Sequence, residues 1–242
     1  MRRKHPDPRG TGTVDHDALS PILDDLRTRG VPALPELRTE LSAYRKQLED
    51  VDPDDLNRDE ALALWLNLYN AGALDLAADT YDQAEGTVLR VPGAFSRKWA
   101  TVAGEALSLE EIEHAKIRRF RDPRFHAALV CGSASCPTLR YEPYRGPTVH
   151  AQLGDQMSNF LRHGGAHVDR AAGVLSLSRI FLWYGADFAR PHRMPTWLPT
   201  TKRSVVKAIR TWLDPQVVRW LDEEQPAITW QTYDWSLACA VR

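Results

Sequence analysis

Cysteine is scarce in this chain, and several other features are absent. Three cysteines in 242 residues do not make a disulfide framework, which favours a reducing, cytoplasmic location. The 31 lysines and arginines nearly balance the 32 aspartates and glutamates, so the net charge gives no argument for nucleic acid or an anionic membrane. No apolar run approaches the length of a membrane span. Composition therefore predicts a soluble cytoplasmic protein with no nucleic-acid or membrane partner.

The hydrophobic content is ordinary for a globular protein. Hydrophobic residues make up 43% of the chain and charged residues 26%, and this length can bury one sizeable core or two small ones. The first residues are charged like the start of a signal peptide, but no apolar segment follows them. The pattern predicts a disordered tail over residues 1–14, an N-terminal helical extension over 15–56 and one main domain over 57–242.

Apolar residues at helical spacing predict three helices in the first third of the chain. One ends at Gly30, a second follows Pro35, and a third begins after Asn57, whose side chain can cap it. Between Ala61 and Ala78 the third helix is apolar on nearly every side. That pattern is typical of a helix buried on most sides.

Two asparagines, Asn67 and Asn70, interrupt this apolar helix. They are three residues apart, so they share a face and need hydrogen-bond partners if buried. Either they tie the helix to a neighbouring loop, or one of them orients a catalytic histidine or lines an oxyanion site. We expect both to be buried, with at least one bonded to residues 132–137 or to a histidine.

A short strand and a capped helix follow in the middle of the chain. Trp99–Val102 has the strand pattern, and Ser108 with Glu111 forms a capping box. Glu113 and His114 are adjacent within that helix, so they point about 100° apart and we expect no direct pairing. For His114, a structural role and a role in a site are both open.

The remaining segments alternate helices with short strands. The predicted elements are a helix from Thr148, a β-hairpin over Val168–Leu177, a short helix from Ser178, a proline-rich connection over Met194–Pro199, a helix that stops before Pro215 and a strand over Ile228–Tyr233. Together with the earlier elements they predict the α+β class. We expect a helix-rich single domain around a small sheet, with a papain-like or transglutaminase-like topology as the candidate architecture.

Residues 122–137 are the most distinctive stretch of the sequence. After a turn at Pro123, Phe125–Cys131 is a nearly continuous apolar run interrupted by His126, which predicts a strand covered on both faces. Four small residues follow, between Cys131 and Cys136. On a strand, His126 and Cys131 are an odd number of positions apart and face opposite sides.

Six motifs, this stretch included, together resemble a known family, the domain of unknown function 547 (DUF547). They are Trp65–Asn70, Ser108–His114, Asp122–His126, Cys131–Pro137, Leu175–Tyr184 and Tyr233–Leu237. The resemblance runs from about residue 57 to the C-terminus. No reaction is established for that family, and its plant members often lack the cysteine that matches Cys136.

The first functional hypothesis is a cysteine nucleophile with a histidine base, as in papain-like and transglutaminase-like hydrolases or acyltransferases. A free thiol with a pKa of roughly 8.5 is mostly protonated at neutral pH and needs such a neighbour. The strand geometry favours Cys136 over Cys131, with loop amides as oxyanion donors. The candidate catalytic residues are Cys136, Cys131, His126, His114, Glu113, Asn67 and Asn70. The substrate would be an unidentified peptide or other amide, and no cofactor is implied.

Two alternatives remain open from the sequence. The two cysteines and two histidines could bind zinc, although the strand geometry separates Cys131 from His126. The motifs could instead stabilise a non-catalytic interaction module that binds a protein partner, with Trp65, Trp183 and Trp235 in its core.

Overall fold

The computed structural model describes residues 8–83, 86–191 and 199–242. Its helices are α1 (Ser20–Arg29), α2 (Arg38–Gln47), α3 (Arg58–Asp82), α4 (Leu109–Glu111), α5 (Val149–Phe160), α6 (Arg179–Trp183), α7 (Gly185–Ala189), α8 (Lys202–Ile209) and α9 (Pro215–Glu224). Its strands are β1 (Lys98–Val102), β2 (Glu105–Ser108), β3 (Ala166–Asp169), β4 (Val174–Leu177) and β5 (Ala227–Trp230). No described helix is both long and apolar enough to cross a membrane.

The strands form two small sheets. Strands β1 and β2 pair as an antiparallel hairpin. In the second sheet β4 lies in the middle, antiparallel to β3 and parallel to β5. Small sheets among many helices confirm the predicted α+β single domain, whereas the papain-like or transglutaminase-like topology stays a prediction.

Helix α3 is the centre of the larger hydrophobic cluster. Nineteen of its 25 residues are buried, so its sides are covered by other parts of the chain, as the apolar pattern predicted. The Asn57 side chain accepts hydrogen bonds from the amides of Asp59 and Glu60, which fixes the start of the helix. The N-terminal helices α1 and α2 also join this cluster, and Gly30 ends α1 with a φ of 70°.

The two asparagines of α3 bind main-chain groups of other segments. The amide of Asn67 donates to the Tyr144 carbonyl over 2.8 Å, and its carbonyl accepts from the Tyr144 amide over 2.9 Å. Asn70 makes the same kind of pair with the Ala128 carbonyl and the Val130 amide. Both are buried, and they tie α3 to its neighbours. The expected bond to residues 132–137 or to a histidine is wrong.

The predicted strand over Phe125–Cys131 is also wrong. Residues Pro123–Ala127 form a 3₁₀ helix, because Pro123 presets the first turn and the Asp122 carboxylate accepts from the Arg124 amide. The backbone then continues to Cys131 without strand pairing. His126 therefore lies on a helical turn, and the argument that placed it opposite Cys131 no longer applies.

Other differences fall near the C-terminus. The helix predicted to stop before Pro215 ends earlier, with α8 at Ile209 and a 3₁₀ turn to Trp212. Pro215 begins a further helix, α9, because Asp214 caps it and proline suits its first position. The strand predicted over Ile228–Tyr233 is limited to Ala227–Trp230. Most of the predicted connection over Met194–Pro199 lies outside the described residues, as do residues 1–7 of the predicted tail. From residue 8 onward the tail is described, and the Gly12 amide donates to the Asp55 carbonyl.

Replacing Asn70 by leucine should lower the free energy of unfolding by roughly 1–3 kcal/mol, because the buried Ala128 carbonyl and Val130 amide lose their partner. Urea denaturation followed by circular dichroism measures this difference. The matched control is Gln83→Leu at the exposed end of the same helix, for which we expect less than about 0.5 kcal/mol. An equal effect of the two substitutions would contradict the role of Asn70.

Candidate active site

One pocket of about 450 Å³ brings together most of the residues singled out from the sequence. Its walls come from α3, the helical segment that begins at α4, the residues around the cysteines, α6 and the C-terminal segment. It is lined by Tyr69, Leu89, Phe95, Glu110, Glu113, His114, His126, Leu129, Cys131, Cys136, Ile180, Trp183, Tyr184, Tyr233 and Trp235. Five of the seven candidate residues therefore share this pocket, whereas Asn67 and Asn70 hold main-chain groups elsewhere.

The loop after Cys131 is held by the C-terminal segment. The Ala134 amide donates to the Ser236 carbonyl over 2.9 Å, and the Ser135 amide donates to the Asp234 carbonyl over 3.2 Å. These bonds fix the loop, but they also occupy amides that the sequence had suggested as oxyanion donors. The expectation of free loop amides is therefore wrong for Ala134 and Ser135.

The Cys131 thiol is surrounded by hydrogen-bonding groups. Its Sγ lies 3.0 Å from the Ser133 hydroxyl and 3.3 Å from the Tyr233 hydroxyl, and these two hydroxyls are 3.0 Å apart. Hydrogen bonds from Cys136, Ser133 and Tyr233 lower the pKa of the Cys131 thiol to about 7, although burial opposes them. Cys131 is partly exposed, so an ionisable thiol with a lowered pKa faces the pocket.

The other two cysteines have the opposite electrostatic environment. The Cys136 Sγ accepts from the Cys131 amide over 2.9 Å, but burial and the neighbouring Cys131 raise the pKa of the Cys136 thiol. Burial also raises the pKa of Cys239, to about 12. The geometry therefore favours Cys131 as the thiolate, whereas the sequence had favoured Cys136.

His126 belongs to a buried charged network. Its Nε2 lies 2.9 Å from the Asp187 Oδ2, and the Arg118 Nε is 2.8 Å from the same oxygen. Despite burial, hydrogen bonds from His126 and Arg118 lower the pKa of Asp187, so it is a carboxylate. Burial lowers the pKa of His126, which favours the neutral ring with its proton on Nε2 facing Asp187. The Tyr184 ring stacks on it with centroids 4.1 Å apart.

Glu113 and His114 line another part of the pocket wall. Residues 112–116 form a π-helical turn instead of continuing α4, and the Glu113 Oε1 lies 3.8 Å from the His114 Nδ1. No hydrogen bond joins these adjacent side chains, as expected, although the two atoms come within ion-pair distance. Burial and the Glu113 carboxylate raise the pKa of Tyr184, which keeps its hydroxyl protonated.

The pocket differs from two arrangements that the sequence suggested. Among the described residues, neither His114 nor His126 makes a hydrogen bond to a cysteine sulfur. The same part of the chain contains no group of three or more histidine, cysteine, aspartate or glutamate side chains placed to hold a metal ion. The zinc alternative thus has no support in this geometry.

Sequence reasoning missed Ser133, Tyr233, Asp187 and Arg118 as site residues. A signal for Asp187 was present, since it is a single carboxylate between Ala186 and Phe188 in an apolar segment. Such a residue needs a partner when it is buried. Arg118 and Tyr233 carried no comparable signal, because their partners are far away in the sequence. Ser133 lies only two residues from Cys131, but nothing distinguished it from the other small residues of the loop.

Comparison with known proteins supports the family resemblance. A family model described as "Protein of unknown function, DUF547" matches residues 53–161. Neither the curated proteins nor the solved structures contain a significant match. The matched region includes α3, both cysteines of the pocket and both of its histidines, whereas Asp187 and Tyr233 lie beyond it. The chain therefore contains a DUF547-family domain over residues 53–161.

Proposed function

We propose that this protein is a cysteine-dependent hydrolase or acyltransferase, with Cys131 as its nucleophile. The observation that carries the proposal is the environment of the Cys131 sulfur, which lies on the wall of a pocket and contacts the hydroxyls of Ser133 and Tyr233. A thiolate is far more nucleophilic than a thiol. A sulfur stabilised as the anion and open to a pocket is the arrangement that thiol catalysis requires.

The reaction would begin with attack of the Cys131 thiolate on a carbonyl carbon. A carbon–sulfur bond forms, the bond from the carbonyl carbon to the leaving group breaks as the tetrahedral intermediate collapses to a thioester, and the departing group takes its proton from solvent water. The Ser133 and Tyr233 hydroxyls no longer need to stabilise the sulfur anion once that bond exists. They can then turn toward the oxyanion beside it. Water or an acceptor nucleophile would release the acyl group and restore the thiol.

His126 is the proposed proton-transfer group for the second half of the reaction. Asp187 holds the ring through Nε2, which leaves Nδ1 as the nitrogen that can accept a proton from the attacking water or acceptor. Arg118 fixes Asp187 in turn. Because hydrogen bonds already favour the Cys131 thiolate, His126 need not touch the sulfur in the free protein.

The first test is the reactivity of the three cysteines at pH 6. A pKa of about 7 leaves roughly a tenth of Cys131 ionised there, against well under one hundredth of an ordinary thiol. After allowance for the lower nucleophilicity of a more acidic thiol, iodoacetamide should modify Cys131 about fivefold to tenfold faster than free cysteine. Mass spectrometry of the digested protein measures each site, and Cys136 and Cys239 should be slow.

Replacing Tyr233 by phenylalanine tests whether hydrogen bonding to the sulfur causes the lowered pKa of Cys131. The substitution removes one hydrogen bond to the sulfur, so the pKa of Cys131 should rise and its labelling at pH 6 should slow by at least about threefold. Tyr141→Phe, at a half-exposed tyrosine outside the pocket, should change nothing. Fast labelling of Cys136 instead of Cys131 would show that the nucleophile is misassigned.

The second test looks for the covalent intermediate. With p-nitrophenyl acetate the protein should release one equivalent of p-nitrophenolate rapidly and gain an acetyl group on Cys131, detected by intact mass and peptide mapping. Cys131→Ala should abolish the acetylated species, whereas Cys239→Ser should retain it. His126→Gln should slow loss of the acetyl group more than its formation, because the proposed base acts in deacylation.

The outcome also separates catalysis from the interaction-module alternative. An acetyl group of equal yield in the wild type and in Cys131→Ala would rule out Cys131 as the nucleophile. Slow labelling of all three cysteines together with no acyl-enzyme would favour the interaction module. Circular dichroism of each variant checks that a loss of reaction is not a loss of folding.

A further inference from the structure

We infer that the substrate or acceptor of this site carries an organic cation, a protonated or alkylated amine, close to the reacting carbonyl. The inference rests on the proposed function for what happens to the molecule, but the preference for a positive charge is a binding property that can be measured alone. Two features carry it: a carboxylate in the pocket wall that pairs with no described lysine or arginine, and an aromatic surface in the same pocket.

The carboxylate is Glu113. Its side chain is only 13% exposed and lines the pocket. The nearest positively chargeable group is the His114 Nδ1, 3.8 Å away, and no described lysine or arginine pairs with Glu113. The Tyr184 hydroxyl also hydrogen-bonds to Glu113, but it carries no charge. A largely buried carboxylate gains from a nearby cation, and a bound ammonium group would supply one.

The other charged residues around the pocket also favour a positively charged ligand. Glu110 also lines the pocket, and none of the described lining residues is a lysine or an arginine. The two nearest cations on the helical segment after α4 are engaged elsewhere, Lys116 with Glu105 and Arg118 with Asp187. Apart from the two histidines, the titratable acids on the pocket wall include two carboxylates, so an anionic ligand would meet like charge there.

The aromatic surface is formed by Trp183, Tyr233 and Trp235. Their ring centroids are 4.5 to 5.9 Å apart, and Trp183 is 44% exposed. The faces of indole and phenol rings attract organic cations, tryptophan most strongly. Tyr233 also contacts the Cys131 sulfur, so a cation bound on this surface would lie beside the nucleophile.

A pair of isosteric probes tests the charge preference directly. Choline and 3,3-dimethylbutan-1-ol have nearly the same shape and differ in the positive charge. We expect isothermal titration calorimetry to show choline binding at least tenfold more tightly, and Cys131→Ser to retain that preference. Equal affinity for the two probes, or binding of neither, would overturn the inference.

Variants identify the groups responsible. Glu113→Gln should reduce the preference for choline by at least tenfold, whereas Glu223→Gln, an exposed carboxylate outside the pocket, should leave it unchanged. Trp183→Ala, at a 44% exposed position, should weaken choline binding as well and gives an independent result if Glu113→Gln does not fold. An unchanged preference in both Glu113→Gln and Trp183→Ala would assign choline binding to another place.

The same charge difference can be built into a substrate. Acetylthiocholine should acetylate Cys131 at least tenfold faster than its neutral analogue S-(3,3-dimethylbutyl) thioacetate at equal low concentrations. Equal rates with the two thioesters would reject a cationic substrate while leaving the thiol mechanism intact. If neither thioester reacts but choline still binds selectively, the proposed catalysis fails and the cation-binding site remains.

Discussion

The burial of α3 is the constraint on which the rest of the structure depends. A helix covered on nearly every side cannot leave polar side chains unpaired, so its asparagines must find partners in the segments that cover it. Asn67 binds the main chain of Tyr144, and Asn70 binds that of Ala128 and Val130. Because Val130 directly precedes Cys131, Asn70 places the start of the cysteine-containing loop against the core helix.

The site is assembled from segments that are distant in sequence. The matched family region supplies Cys131, Cys136 and His126. Asp187, from α7, holds the histidine, and Tyr233, from the C-terminal segment, contacts the thiol. Main-chain bonds between residues 134–135 and 234–236 hold these parts together. A pocket built in this way depends on the whole fold for its geometry.

Hydrogen bonding, more than position along the chain, makes the thiol pKa values of Cys131 and Cys136 differ. Cys131 and Cys136 lie on one loop, yet the pKa of the first is lowered and that of the second is raised. Donors stabilise the Cys131 anion, whereas desolvation destabilises the Cys136 anion. The same loop thus contains one thiol with a lowered pKa and one with a raised pKa.

Local sequence patterns determined many of the helices and identified several of the residues that line the pocket as candidates. Helical spacing and caps were sufficient to predict the N-terminal helices, α3 and the capping box at Ser108, because these features depend on residues close in sequence. The sequence also singled out the cysteines, histidines and Glu113 as candidates. Tertiary structure decided that Phe125–Cys131 is not a strand, that Asp187 and Tyr233 complete the site, and which thiol is acidic. Those outcomes depend on burial and on partners as far as 102 residues away, which no local pattern encodes.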